Sequence, residues 1–196
     1  MNILAVDTST NISSIALYTN DKVIDSIEEK IDKSHSGLLA ENVDKIISKN
    51  NFRYEEIDYF LISIGPGSYS GLKVSSSFLK GLTLPLDKPI IAINSLDALN
   101  SQISDDNEYV LAIFSHRDYV YCQNFLNGKS IGKQSCKRII DDSVTIYGYG
   151  IDSKINYTEI IPSSLILIDC FIKNKDMYIN NSNNENISPI YLEIEQ

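Results

Sequence analysis

The spacing of apolar and polar positions divides the chain into short, readable segments. Ile3–Asp7 (ILAVD) is an apolar run closed by an acid, Ile12–Thr19 is rich in β-branched residues, and residues 22–28 follow as a third strand. Asn20-Asp21 supplies the tight hairpin turn between the last two. Leu39, Val43, Ile46 and Ile47 recur at helical spacing with charges between them, which predicts an amphipathic helix over Ser36–Lys49. Residues 59–64 are apolar, aromatic and β-branched, so they read as a buried strand that Gly65-Pro66-Gly67 must end. A helix follows, because Ser68 or Ser70 can accept its orphan amide hydrogens and Leu72, Leu79 and Leu82, or Val74, Phe78 and Leu82, form an apolar stripe. Residues 89–93 give another strand and 96–100 a short helix.

The second half repeats the opening. At a gapless offset of 107 positions, residues 110–131 match residues 3–24 at Leu4 and Leu111, Ala5 and Ala112, Asn20 and Asn127, Lys22 and Lys129, and Ile24 and Ile131. The two turns, Asn20-Asp21 and Asn127-Gly128, fall in register, which predicts two lobes that each begin strand, strand, strand. Beyond this the pattern gives a strand at Thr145–Tyr149, a helix at 163–173 capped by Ser163 or Ser164 after Pro162, and a terminal strand at 189–192. The polar stretch 101–108 separates a lobe of residues 1–100 from a smaller one of residues 101–196. Residues 180–186 (NNSNNEN) read as a polar loop.

The strand–glycine loop–helix unit of residues 58–84 is the part of the chain best able to hold an anion. Glycines admit a close ligand, and a helix start concentrates unpaired N–H groups. Asp7, Gly65, Gly67 and Ser68 are the candidates for such a cofactor site. The same glycines also serve a tight turn, and a lone glycine loop is a weak signal. Their spacing is GxGxxxG, Asn94 and Ser95 end the next strand where a ribose-binding acid would stand, and no GK[ST] follows. Neither a dinucleotide fingerprint nor a phosphate loop of the P-loop kind is present.

Composition narrows the function. A formal net charge of -9 argues against a chain that grips nucleic acid alone, so any RNA role would need a basic partner. Cys122, Cys136 and Cys170 are an odd set without CxxC spacing, as expected of a protein of the reducing cytoplasm. No secretory leader and no membrane span are expected. The two histidines, His35 and His116, form no HxxxH or HExxH pair, so no metal is expected. His35 reads as a surface or capping residue, and His116 sits in a loop beside Arg117 and Asp118.

Four short segments, ILAVDTST at the start, SHSGLL at the first helix, GPGSYSGLKV with KGL after it, and PIYL near the end, together resemble the TsaB (YeaZ) family. That resemblance implies an α/β fold of two RNase H-like lobes, of the superfamily of actin, sugar kinases and Hsp70, each opening with three antiparallel strands and here with a reduced second lobe. It also implies a non-catalytic subunit of the bacterial complex that adds threonylcarbamoyl to the adenosine beside the tRNA anticodon. The implied partners are a TsaD-like catalytic subunit, a TsaE-like ATPase and a second copy of the chain, with tRNA reached only indirectly. FSHRDYVY (residues 114–121) stands where relatives carry a DAR-type turn.

The residues agree with a role without chemistry of its own. Nucleotide-hydrolysing members of the superfamily end the first strand of each lobe with an acid, and here the counterpart of Asp7 is Phe114. Losing one carboxylate removes a group able to position metal-bound water. No cofactor is expected. A peptidase using Ser68 or Ser70 with His35 or His116 lacks supporting spacing, and a small ATP-binding enzyme using Asp7 and the glycine loop is the other alternative. For partner binding the candidates are Leu38, lying off the first helix stripe, and Gly71, Leu72, Ser75, Ser76 and Leu79 on the second helix, where small residues let helices approach closely.

Overall fold

A computed structural model describes residues 1–31, 36–138, 143–180 and 187–194. The expectation for His35, and residues 181–186 of the polar loop, fall outside the described residues. In chain order the elements are β1 (Ile3–Asp7), β2 (Ile12–Thr19), β3 (Lys22–Lys30), α1 (Ser36–Lys49), β4 (Tyr59–Ser63), α2 (Tyr69–Thr83), β5 (Ile90–Ile93) and α3 (Ser95–Asn100). Then come β6 (Glu108–His116), β7 (Tyr119–Leu126), β8 (Lys129–Arg138), β9 (Thr145–Tyr149), β10 (Thr158–Glu159), α4 (Ser164–Lys173) and α5 (Lys175–Asn180).

The strands form two five-stranded sheets of the same order, β3-β2-β1-β4-β5 and β8-β7-β6-β9-β10. In each, the first three strands are antiparallel neighbours and the fourth runs parallel to the first. The hairpin turns are equivalent as well. Asn20 and Asp21 have φ of 50° and 60°, and Asn127 and Gly128 have 50° and 68°, the left-handed pair that suits a two-residue hairpin to the twist of its strands. Residues 110–131 are therefore strands of a second sheet, as the internal repeat predicts.

Burial explains which faces are covered. On one face of the first sheet Leu4, Val6, Ile15, Leu17, Phe60 and Ile62 pack under Leu39, Val43, Ile46 and Ile47 of α1 and Leu79 of α2. On the other, Ile3, Ala5, Ala16, Leu61, Ile91 and Ile93 pack under Leu167, Ile168, Cys170 and Phe171 of α4. With both faces covered, all five residues of β1 are buried, hence its unbroken apolar run. The first residue of α4 is fastened to β2, since the Ser14 and Ser164 hydroxyls lie 2.7 Å apart and the Ser164 amide donates to Ser14 Oγ at 2.9 Å. α4 also meets the second sheet, where Ile166 joins Leu96, Leu99, Tyr109, Leu111, Ile113 and Phe125.

Several details differ from the sequence reading: β6 begins at Glu108, inside the expected linker, β10 and α5 answer to no expected element, and Asn180 of the expected polar loop ends α5. β3 runs on to Lys30, because its partner Ile12 continues the ladder that far and the charged end of an edge strand hides its period. Residues 189–192 are not a strand. Pro189 has no N–H to give to a ladder, and the tail makes one bond from the Ile190 amide to Ile64 O at 2.7 Å and one isolated bridge from Ile194 to Cys136. Asn94, taken as a strand end, is the cap of α3, its side chain accepting from the amides of Leu96 and Asp97.

Candidate functional site

The β4–α2 loop closes against the β1–β2 loop so tightly that its glycines have a structural cause. A Cβ on Gly67 would lie 2.3 Å from Ser9 O, and one on Gly71 would lie 2.0 Å from Thr8 O, inside any real contact. The approach is locked by hydrogen bonds. The Ser68 amide donates to Ser9 O at 2.7 Å, and the Thr8 hydroxyl lies 2.8 Å from both the Gly71 carbonyl and the Ser75 hydroxyl. Ser68 caps α2, accepting from the Gly71 amide at 3.2 Å. An amide that an anion would need is thus given to the protein's own backbone. Gly65, at φ 96°, abuts the tail, where its Cβ would meet Ile190 O at 3.2 Å.

Asp7 is spent in the same way. It is 2% exposed, and its Oδ1 accepts from both the amide and the hydroxyl of Ser9 at 2.7 Å. Burial pushes its carboxyl above the ordinary 3.8, the two Ser9 bonds pull it back in part, and the Glu28 charge adds a smaller upward push.

Between the lobes lies a cleft of about 870 Å³. The first lobe contributes Ser9, Thr10, Asn11, Lys30, Gly67, Ser68 and Ser70, a wall of hydroxyls and amides with one cation. The second contributes Phe114, His116, Tyr121 and Tyr149 together with Glu159. Gly67 and Ser68 thus reach the cleft, while Asp7 and Gly65 are not among its lining residues. The walls are joined where Tyr149 OH donates to Asn11 Oδ1 at 3.0 Å. The aromatic lining escapes sequence reading because it comes from the ends of three strands brought together only by the second sheet. His116 shares the cleft with Ser68 and Ser70, but its Nδ1 lies 3.0 Å from Ser115 Oγ and its ring stacks on Tyr119. Among the described residues no group of three or more His, Cys, Asp or Glu is placed to hold a metal ion.

The helical candidates fall in two groups. Leu38 on α1 is 39% exposed, whereas Gly71, Leu72, Ser75, Ser76 and Leu79 on α2 are buried against the protein's own sheet and loop. Leu79 belongs to the core under α1. The outward side of α2 is made instead by Tyr69, Ser70, Lys73, Ser77 and Gly81, with Val74 and Phe78 half-buried. Tyr69 packs against Tyr191 of the tail, ring centroids 4.9 Å apart, and carries the Lys73 ammonium over its ring.

Two sheets of one strand order, facing each other across a cleft, define the actin-like class of α/β proteins. A Bacteroides thetaiotaomicron protein with an actin-like ATPase fold and unknown function superposes with a TM-score of 0.50 at 11% identity, over 88% of this chain and 95% of that one. YeaZ from Pseudomonas aeruginosa superposes with a TM-score of 0.77 at 21% identity, over 97% and 99%. Residues 22–164 match the family model described as TsaD: tRNA N6-adenosine threonylcarbamoyltransferase, and the chain belongs to this family, on its TsaB (YeaZ) side. The tRNA threonylcarbamoyladenosine biosynthesis protein TsaB of Buchnera aphidicola subsp. Acyrthosiphon pisum is 25% identical over 131 residues, 65% of this chain and 59% of the relative. The chain spans about half the length of the curated TsaB relatives it matches.

Proposed function

We propose that the chain is a non-catalytic scaffold subunit of the complex that adds threonylcarbamoyl to the adenosine next to the tRNA anticodon. It binds and supports a TsaD-like catalytic subunit in the cytoplasm, with a TsaE-like ATPase as a further partner. The observation that carries this reading is the state of the cleft. Asp7 is buried with an oxygen held by Ser9, and neither Phe114, its counterpart in the repeat, nor Ile113, its counterpart in the strand pairing, is an acid, so Asp7 has no matching carboxylate in the other lobe with which to steer metal-bound water.

The binding surface is the outward side of α1 and α2 in the lobe of residues 1–100. Leu38, Ser77 and Gly81 offer a low, partly apolar face between helices, and half-buried Val74 and Phe78 add apolar area. Gly71, Leu72, Ser75, Ser76 and Leu79 serve the contact from beneath by fixing α2 on its sheet. The same face would pair two copies of the chain when the partner is absent, because an isologous contact needs only one self-complementary patch. Co-purification of the tagged chain with a TsaD-like protein tests this. Recovery that is lost in a folded Leu38→Glu, Ser77→Arg variant supports it, and recovery unchanged by that variant moves the interface elsewhere. The size of the cleft favours a second reading, a small ATP-binding enzyme, since about 870 Å³ lies within the range of ligand sites.

A further inference from the structure

The overall charge of -9 hides one segment of opposite sign. Residues 117–138 hold Arg117, Lys129, Lys133, Lys137 and Arg138 against a single acid, Asp118, which leaves twelve basic and twenty-five acidic residues elsewhere. All five cations are exposed. The fold sets them along one margin of the second sheet. Lys129 opens β8 and Arg138 ends it, and β8 is the outermost strand beside β7. Lys129 pairs with Leu126 and Lys137 with Val120, so the two stand six residues of β7 apart, about 20 Å at the rise of a strand, and Lys133 falls in the bulge between them. Arg117 projects the series into the β6–β7 turn, in the left-handed region at φ 55°.

At that end the cations meet aromatic rings. The Arg138 guanidinium lies 5.1 Å from the centroid of Tyr119, and the His116 ring stacks on Tyr119 at 5.2 Å with 12° between planes. The one acid of the segment is already engaged, Asp118 Oδ2 pairing with Arg138 Nε at 2.8 Å, both side chains more than half exposed. Among the described residues three acids border the surface, one of them Glu159, which lines the cleft with Phe114 and His116. Glu108 accepts from the Asn124 amide at 3.4 Å, and Glu193 precedes Ile194, which bridges to Cys136. Lysines on an outer strand also guard a sheet against pairing with another. That purpose does not call for Arg117 in a turn or for a stack of guanidinium, phenol and imidazole.

We infer that the β7–β8 hairpin and the β6–β7 turn form a contact surface for RNA. The lysines of β8 hold the phosphate backbone, and the exposed His116 and Phe114 rings present faces for an unstacked base. The choice of RNA over an acidic protein rests on the function proposed above; the positive surface does not. Net charge, which points to indirect contact with tRNA, averages this margin away.

The test is fluorescence anisotropy of the full chain with a labelled RNA stem–loop of anticodon-arm size, from low to physiological salt. Sequence-independent contacts of this kind give a Kd of about 1–100 µM at physiological salt. Lys129, Lys133 and Lys137 changed together to Glu should weaken binding at least tenfold and flatten the slope of log K against log salt by about 2, at roughly 0.7 per lost phosphate contact. The triple change to Gln should move both in the same direction by less. Reversing Lys22, Lys45 and Lys154 alters net charge equally away from the hairpin and should change affinity by less than about threefold. Circular dichroism checks the fold of each variant. Absence of salt-dependent binding, or equal loss in both reversal variants, overturns the inference. So does labelled polyglutamate bound as tightly as RNA at equal charge, which would assign the surface to an acidic protein. Recovery of the catalytic partner is measured on the same samples. A hairpin variant that keeps its partner and its RNA affinity overturns this surface alone, whereas failure of every sample to recover the partner counts against the proposed function and leaves the RNA result to be judged by itself.

Discussion

The two sheets share a strand order but not a covering. The first is closed by α1 and α2 on one face and by α4 on the other, whereas the second has α3 and α4 on its inner face. Its outer face, Ala112, Val120, Cys122, Ile146 and Ile151 with Val110, Ile155 and Tyr157, is roofed by residues 150–157 of the loop after β9. A five-strand ladder can therefore stand on much less helix than its twin uses. The helices α1 and α2 of the first lobe also leave residues such as Leu38, Ser77 and Gly81 exposed on their outward side. α4 shows that the lobes are not separate bodies either. A helix from the second half of the chain completes the core of the first.

The sharpest way to break this comparison is one substitution made at both places. Ile62 lies fully buried under α1 and α2, and Ile146, 2% exposed, lies under the loop. Ile62→Ala should cost about 4–5 kcal/mol and Ile146→Ala about 2, the two ends of the range for such truncations, because a loop settles into a cavity more readily than two packed helices. Urea midpoints measure both. Equal costs would mean that the outer face of the second sheet is as firmly covered as the first. Next comes Gly71→Ala, whose Cβ must displace Thr8 O from 2.0 Å and lever α2 off the β1–β2 loop. A loss of about 1–3 kcal/mol is expected, as for overpacking, and a neutral result would show that the two loops part easily.

How far these contrasts could be read from sequence depends on the range of the contacts involved. β1 and β2 are legible to the residue as short buried runs bounded by turn residues, and α1 and β9 because each buries one face at its own period. The destination of α4 is not legible. SLILIDCFIK is apolar on most sides because it is wedged between two sheets, and an all-round apolar helix says that it is buried without saying where. The small residues Gly71, Ser75 and Ser76 pose the same difficulty. Their spacing suits a close helix contact, but the close neighbour of Gly71 and Ser75 is Thr8, more than sixty positions away in the chain. The cleft lining is hidden for a like reason, while the loss of the second acid at Phe114 is visible at once from the internal repeat.

Asp7 offers a subtler probe. Its carboxyl titrates above 3.8 in the fold, so the folded state favours the protonated form, and the stability this group allows is greatest at low pH and declines as pH rises from 3.8 through the raised folded value. Asp7→Asn should remove that decline, so that the difference between mutant and parent grows in the mutant's favour with pH and then levels off. A difference independent of pH would mean that Ser9 compensates the burial in full. The smallest stability effect belongs to the outward face. Leu38→Glu should change stability by no more than about 0.5 kcal/mol, as for an exposed site. The same change should weaken capture of the catalytic partner at least tenfold, about 1.4 kcal/mol.

The central claim, that the cleft has lost the means of nucleotide chemistry and the chain works through its surfaces, meets its most direct test in calorimetry of the isolated chain with magnesium and ATP. No saturable heat is predicted, because Asp7 Oδ1 is held by Ser9 and Asp7 is not among the residues that line the cleft, where Glu159 is the one acid among the described lining residues. Micromolar binding that Asp7→Ala abolishes would contradict the account and restore the ATP-binding reading.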